Sequence, residues 1–237
     1  LGHHVPIFGG LTADQWRFQK TYQFFQNRVC SDAVAVLLFS GPILFSHGIA
    51  NGWLPIGKQG RITQVVQNVV HTIDKRPAIE FYRYYIGLLA PSSEYPLAVF
   101  NAEGNFLYMR APNGLCNSES GSIGFFGDFP EGAVVQLTQA TRNDILAASQ
   151  ESVHQAIQNY PGQCPSASLL FSCASRRQVL GSRTCEEYQL IKLMQDGLLR
   201  SLPCFGFYTN GEIAPLQRNG VTYFHNETFV TMLLGDS

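Results

Sequence analysis

The sequence predicts a mixed α/β protein (α+β in character) of two pseudo-repeated lobes, with mostly antiparallel or mixed sheets and connecting helices. Three observations carry this expectation. First, Pro6-Ile7-Phe8-Gly9-Gly10-Leu11-Thr12 is echoed far downstream by Pro203-Cys204-Phe205-Gly206-Phe207-Tyr208-Thr209. Each copy leads to an apolar run, Val34 to Phe39 and Phe229 to Leu234, so a duplicated lobe fits better than a short solenoid repeat. Second, short alternating apolar runs broken by Gly, Pro, Asn and Asp dominate the chain. Third, a few segments carry helical signals between those runs.

Taken in order, Thr21 to Phe25, Val34 to Phe39, Ile43 to Ala50 and Arg61 to Asp74 read as β-rich. A helix opens near Pro77, a residue suited to a first helical turn, and ends at Gly87. Pro91 to Pro96 reads as a linker between halves. Strands resume at Leu97 to Phe100, Phe106 to Arg110 and Ala133 to Thr138. Ile145, Ala148, Ser152, Ala156 and Ile157 then give a helix one small or apolar face, stopped by Asn159-Tyr160-Pro161-Gly162. Ser168 to Cys173 is a compact buried strand. Thr184 and Glu187 form a capping-box pattern for a further helix, with Tyr188, Ile191, Met194 and Leu198 as its buried stripe. Leu202 to Phe207 returns as a strand, and two strands flank Asn226. The second copy of the echo has a long run-up that the first lacks, which suggests a chain cut from a longer protein.

Composition narrows the function. Hydrophobic residues make up 45% and charged residues 14% of 237, which fits a globular chain and not a disordered one. A net charge of −1 without a basic tract argues against a nucleic-acid partner. No apolar stretch approaches the roughly 20 residues that span a bilayer, so direct membrane insertion is not expected. Six solitary cysteines fit a reducing compartment, and the expected location is cytoplasmic.

Candidate binding residues cluster at predicted strand ends. In Tyr208-Thr209-Asn210-Gly211-Glu212-Ile213, Gly211 permits a tight turn and Glu212 supplies a carboxylate. Ser172-Cys173-Ala174-Ser175-Arg176-Arg177 leaves another strand with small residues and an Arg fork suited to a carboxylate or phosphate. Cys173 is a conceivable nucleophile, but no local base or positive field accompanies it, and packing is the simpler reading. Asp14 occupies the first-lobe counterpart of the Glu212 loop, where the two acids would address one cleft. His47 and Trp53 lie in a Gly-containing aromatic segment, and His225 precedes the turn residue Asn226. No His or Cys spacing suggests zinc, and no metal site is expected. A single haem-ligating His stays open, because haem needs only one axial protein ligand.

Several of these segments together resemble one family. Phe8-Gly9-Gly10 through Trp16-Arg17-Phe18, Ser31-Asp32-Ala33, and His47-Gly48 to Gly57 are similar to the end of a FIST N-terminal region. Tyr95 to Val99, Phe125 to Gly132, Leu170-Phe171-Ser172-Cys173-Ala174, Gly206 to Ile213 and Phe224 to Thr228 resemble a FIST C-terminal region. The resemblance implies an N-terminal lobe over 1–90, lacking its opening, and a C-terminal lobe over 95–237. It also implies a non-enzymatic sensory domain that binds an amino acid or similar small molecule. In bacteria such domains are joined to chemoreceptor, cyclase or kinase outputs, and in eukaryotes to F-box proteins. No cofactor is expected. The alternatives are a haem-based nitric-oxide sensor acting on a partner kinase and an interaction module without small ligand. For an amino-acid ligand, Arg176 would hold the carboxylate, Glu212 the ammonium, and Ser175, Thr209 and Asn210 further hydrogen bonds.

Overall fold

A six-stranded sheet, a nine-stranded sheet and a small two-stranded ribbon hold the described strands together. The computed structural model describes residues 5–101, 103–189 and 202–236. The first half carries β1 (Gly9–Thr12), β2 (Gln23–Phe25), β3 (Arg28–Cys30), β4 (Leu44–Ala50), β5 (Leu54–Pro55), β6 (Gly60–Val66), β7 (Val69–Ile73), β8 (Arg76–Pro77) and helix α1 (Ala78–Ile86). Next come β9 (Leu97–Phe100), β10 (Phe106–Arg110), β11 (Pro112–Cys116), β12 (Ile123–Phe125) and β13 (Val134–Gln139). Helix α2 (Arg142–Gln158), β14 (Ala167–Cys173) and α3 (Ala174–Leu180) follow, and β15 (Cys204–Pro215), β16 (Thr222–His225) and β17 (Phe229–Gly235) close the chain.

The six-stranded sheet runs β1-β15-β14-β17-β4, with β16 also on β15. Among the described strands only β14 and β15 pair in parallel, from Ser168 opposite Cys204 to Cys173 opposite Thr209. The nine-stranded sheet runs β10-β9-β13-β6-β7-β12-β11, with β5 on β13 and β8 on β7. Both sheets draw strands from either side of residues 91–96. The two echoing segments lie side by side, with β1 antiparallel to β15 and Gly10 opposite Glu212.

Helix α1 packs on the nine-stranded sheet, where Tyr82 is buried with Ile62, Ile73, Leu97 and Val135. Helix α2 starts from a Thr141–Asp144 capping box and lays Ser149, Ser152, Val153 and Ala156 against the six-stranded sheet. Gly48 makes that approach possible, since a Cβ there would lie 1.9 Å from the Ser152 carbonyl oxygen. Trp53 is buried with Met109, Ile145 and Leu180, which ties α2 to the second sheet.

Three expectations need correction. Val34 to Phe39 forms no strand: the run is exposed, with Val34 at 87%, and no described strand pairs with it. The expected tight turn at Asn210-Gly211 is instead a kink within β15, where Gly211 adopts a φ of 115°. The Thr184–Glu187 capping box does not form either. Residues 184–189 are helical, but Thr184 Oγ donates to the Gly181 carbonyl and the Glu187 carboxyl turns into the core. Tyr188 is exposed; Ile191, Met194 and Leu198 lie outside the described residues.

Candidate ligand-binding site

The parallel pair β14/β15 defines the place to look, because ligands of sheets with parallel strands gather at the strands' carboxyl ends. There the chain leaves β14 at Cys173 and enters α3, β15 kinks at Gly211, and the turn 226–228 joins β16 to β17. Together with the β1–β2 connection these segments line a small cleft that opens to solvent. Trp16, Phe18 and Phe126 give it aromatic walls; Cys173, Ser175, Thr209, Asn210 and Asn226 give it polar ones.

The aromatic wall is built by Asp14. Its carboxylate accepts the backbone N–H groups of Phe18 (3.0 Å), Gln19 (2.7 Å) and Lys20 (3.3 Å). The bond from Gln19 leads the causes that hold its pKa below the usual value. These bonds close a loop in which Gln15, Trp16 and Phe18 all take left-handed φ. Phe18 then stacks on Phe126 at 5.6 Å, with Trp16 edge-on to Phe18. Asp14 thus shapes the cleft without offering it a free carboxylate.

Behind the polar wall lie two fully buried carboxyls. Glu212 accepts from Thr209 Oγ on one oxygen, and from Thr228 N (3.1 Å) and Thr228 Oγ (2.7 Å) on the other. Burial nonetheless raises its pKa to about 7, against the pull of those bonds. Glu227, in the turn with a φ of 66°, has no hydrogen-bond partner on either oxygen. The Ser175 hydroxyl lies close enough to favour its ionised form but outside hydrogen-bonding geometry; burial and the neighbouring Glu212 push its pKa far up. Cys173 is raised as well, first by burial and then by the two acids, so the thiol stays protonated. Asn226 fixes the turn, its side-chain oxygen accepting from Ala111 N at 3.2 Å.

Arg176 is placed elsewhere. It is fully buried and its guanidinium is spent inward, on Glu187 (3.0 Å), Ser149 Oγ (2.7 Å) and the carbonyls of Asn51 and Ile145. Glu187 in turn accepts from Ser149, Ser172 and Tyr208. A guanidinium so engaged cannot reach a ligand carboxylate. Trp53 belongs to the core, and Gly211 acts by its backbone, since a Cβ there would meet the Phe224 ring at 2.4 Å.

His47 and His225 do not share the cleft. His47 Nε2 faces the Pro215 carbonyl (2.9 Å) and its ring packs on Phe8, beside a separate open groove along β4. His225 Nε2 faces the Ala214 carbonyl (2.9 Å), and burial lowers its pKa to about 4. Neither ring lines the cleft, and His225 Nδ1 is buried without a hydrogen-bond partner. His3 and His4 lie outside the described residues. Among the described residues no group of His, Cys, Asp and Glu is arranged for a metal ion, and no described helix is long and apolar enough to cross a membrane.

The structure therefore brings together Ser175, Thr209, Asn210 and Glu212, with Asp14 as the builder of one wall. The sequence reading passed over Phe18, Phe126, Asn226 and above all Glu227. An acid in a short turn between apolar strands carries no periodic signal.

Family models identify the chain's kind. The FIST N domain matches residues 1–76 and the FIST C domain residues 78–215. An uncharacterized protein of Methanocaldococcus jannaschii is 27% identical over 95 residues, 40% of this chain. The matched part spans 18% of that relative's length. No solved structure matches.

Proposed function

The chain belongs to the FIST family, whose domains are small-ligand sensory modules of signalling proteins, and from that premise we propose that its cleft takes an amino acid or a similarly small molecule. The observation that carries this reading is the pair of buried carboxyls behind the cleft, one of them without a partner. A protein pays heavily for such a group unless something satisfies it. The mixed aromatic and polar lining supports the same reading.

Three independent segments meet at the cleft: the Trp16 loop, the β14–α3 junction and the 226–228 turn. A ligand touching all three favours the arrangement in which they are closest. It thereby shifts the domain's equilibrium, and an attached output domain or partner kinase reads that shift. We place the domain in the cytoplasm of a bacterium, acting by binding and not by turnover. The protonated, buried Cys173 supports binding over nucleophilic chemistry.

A thermal-shift series with amino acids, small amines and small organic acids tests the proposal. A ligand at 100 times its dissociation constant adds about 2.7 kcal/mol. For a domain of this size the melting temperature then rises by roughly 5–10 °C. Trp16→Ala and Asn210→Ala each reduce the rise. No shift with any compound of the series overturns the sensor reading.

A further inference from the structure

The buried acids around the cleft can be counted against their cations. Arg176 faces three carboxyls: Glu187, with which it is paired at 3.0 Å, and Glu212 and Glu227, which it feels only electrostatically. Glu212 is held by two threonines, which leaves Glu227 as a fully buried carboxyl with both oxygens unpartnered. It sits against Ser175 and Cys173 and next in sequence to Asn226, all three of which line the cleft. Trp16, Phe18 and Phe126 line the same cleft, and aromatic faces attract cations. What the cluster lacks is one positive charge carrying N–H donors.

We propose that the ligand is recognised as a primary ammonium ion and that Glu227, backed by Glu212, accepts its N–H bonds. The inference rests on the small-ligand reading of the cleft and sharpens it: the deciding head group is an amine, not a carboxylate. The groups facing Glu227 are Glu212 from β15, Cys173 at the end of β14, and Ser175 and Arg176 from α3. Burial and then Glu212 push the pKa of the free Glu227 well above the usual carboxylate value and favour its neutral form. Binding then converts R–NH3+ and Glu–COOH into an R–NH3+ carboxylate pair and one proton released to solvent. No bond to carbon or nitrogen changes. Affinity rises by about tenfold for each pH unit while the free carboxyl remains protonated.

The test uses three probes alike in size and apolar tail: butylammonium chloride, butyramide and sodium butyrate, at matched ionic strength and at pH 6, 7 and 8. Butylammonium is expected to raise the melting temperature, by more at pH 8 than at pH 6, while the other two leave it unchanged. Glu227→Gln keeps the shape and removes the charge; it is expected to weaken butylammonium at least tenfold and to flatten the pH dependence. The wild-type pH series carries the same information without any variant. Affinity that is independent of pH, or unchanged in Glu227→Gln, overturns the proposal. A shift with butyrate or butyramide but not butylammonium overturns the ammonium assignment and leaves the small-ligand reading standing. Silence from all three and from the amino-acid series removes both.

Discussion

Glu187 and Glu227 lie almost equally deep in the molecule and differ in nearly everything else. Glu187 meets a guanidinium, two serines and a tyrosine; Glu227 meets no donor in hydrogen-bonding geometry. The first joins α2, β14, α3, β15 and the helical residues 184–189 into one unit. The second sits beside a solvent-facing cleft and contributes nothing of that kind. A buried acid with a complete set of partners is a structural fastener, whereas one without partners is held ready for something that arrives from outside.

The largest expected effect is on the fastener. Glu187→Ala leaves Arg176 buried and unpaired and should cost about 3–5 kcal/mol in chemical denaturation. Arg176→Ala should cost a similar amount. The double replacement Arg176→Met with Glu187→Leu should recover most of that loss, since an apolar pair of like volume needs no compensation. A single variant that unfolds like the wild type would dissolve the contrast.

Next comes pH. The folded-state pKa of Glu212 is raised, so the folded protein holds a proton that the unfolded chain releases between pH 4.5 and about 7. Stability therefore falls as pH rises through that window, by about 1.4 kcal/mol per unit and roughly 3 kcal/mol in all. His225 works in the opposite sense. Its folded-state pKa of about 4 lies below its ordinary 6.5, so its contribution is lost as pH falls between those values. Glu212→Gln should thus tilt the stability profile upward with pH, and His225→Phe should tilt it downward. Denaturation midpoints at pH 4.5, 5.5 and 6.5 separate the two, and parallel profiles would contradict the assignment.

Glu227→Gln is expected to leave stability within about 1 kcal/mol of the wild type at pH 5 and to gain on it by pH 8, because the amide has no proton to lose. A large loss at both pH values would class Glu227 with Glu187. The smallest effect belongs to Asp14→Ala, which removes the acceptor of three exposed N–H groups. The melting temperature should stay near that of the wild type. Trp16, loosened from Phe18, should shift the tryptophan emission to the red while buried Trp53 stays constant.

Much of this contrast was half-visible in the sequence. The segments that converge on the cleft, Cys173 to Ser175 and Thr209 to Glu212, stand out as small and polar residues at the ends of apolar runs. The two acids were legible as acids but not as opposites. Glu187 sits three residues after Thr184, where a local rule assigns it to a capping box; the Arg176 guanidinium overrode that rule with a stronger, charge-assisted partner. Arg176 follows two small residues, where an Arg fork reads as a ligand clamp, yet its acceptors come from residues 31 and 125 positions away. Val34 to Phe39 has the composition of a strand, and composition supplies no partner edge.

The sequence by itself determined the mixed class, helices α1 and α2, the buried strand β14 and membership of the FIST family. Those are matters of period, capping and motif order, all carried by residues close together in the chain. Only the tertiary structure decided which buried acid is paired. The partners of Glu187 and Arg176 come from distant segments, and whether a carboxyl meets a guanidinium or nothing depends on how β14, β15 and α2 pack. Burial can be read from a pattern; satisfaction of a buried charge is a property of the assembled interior.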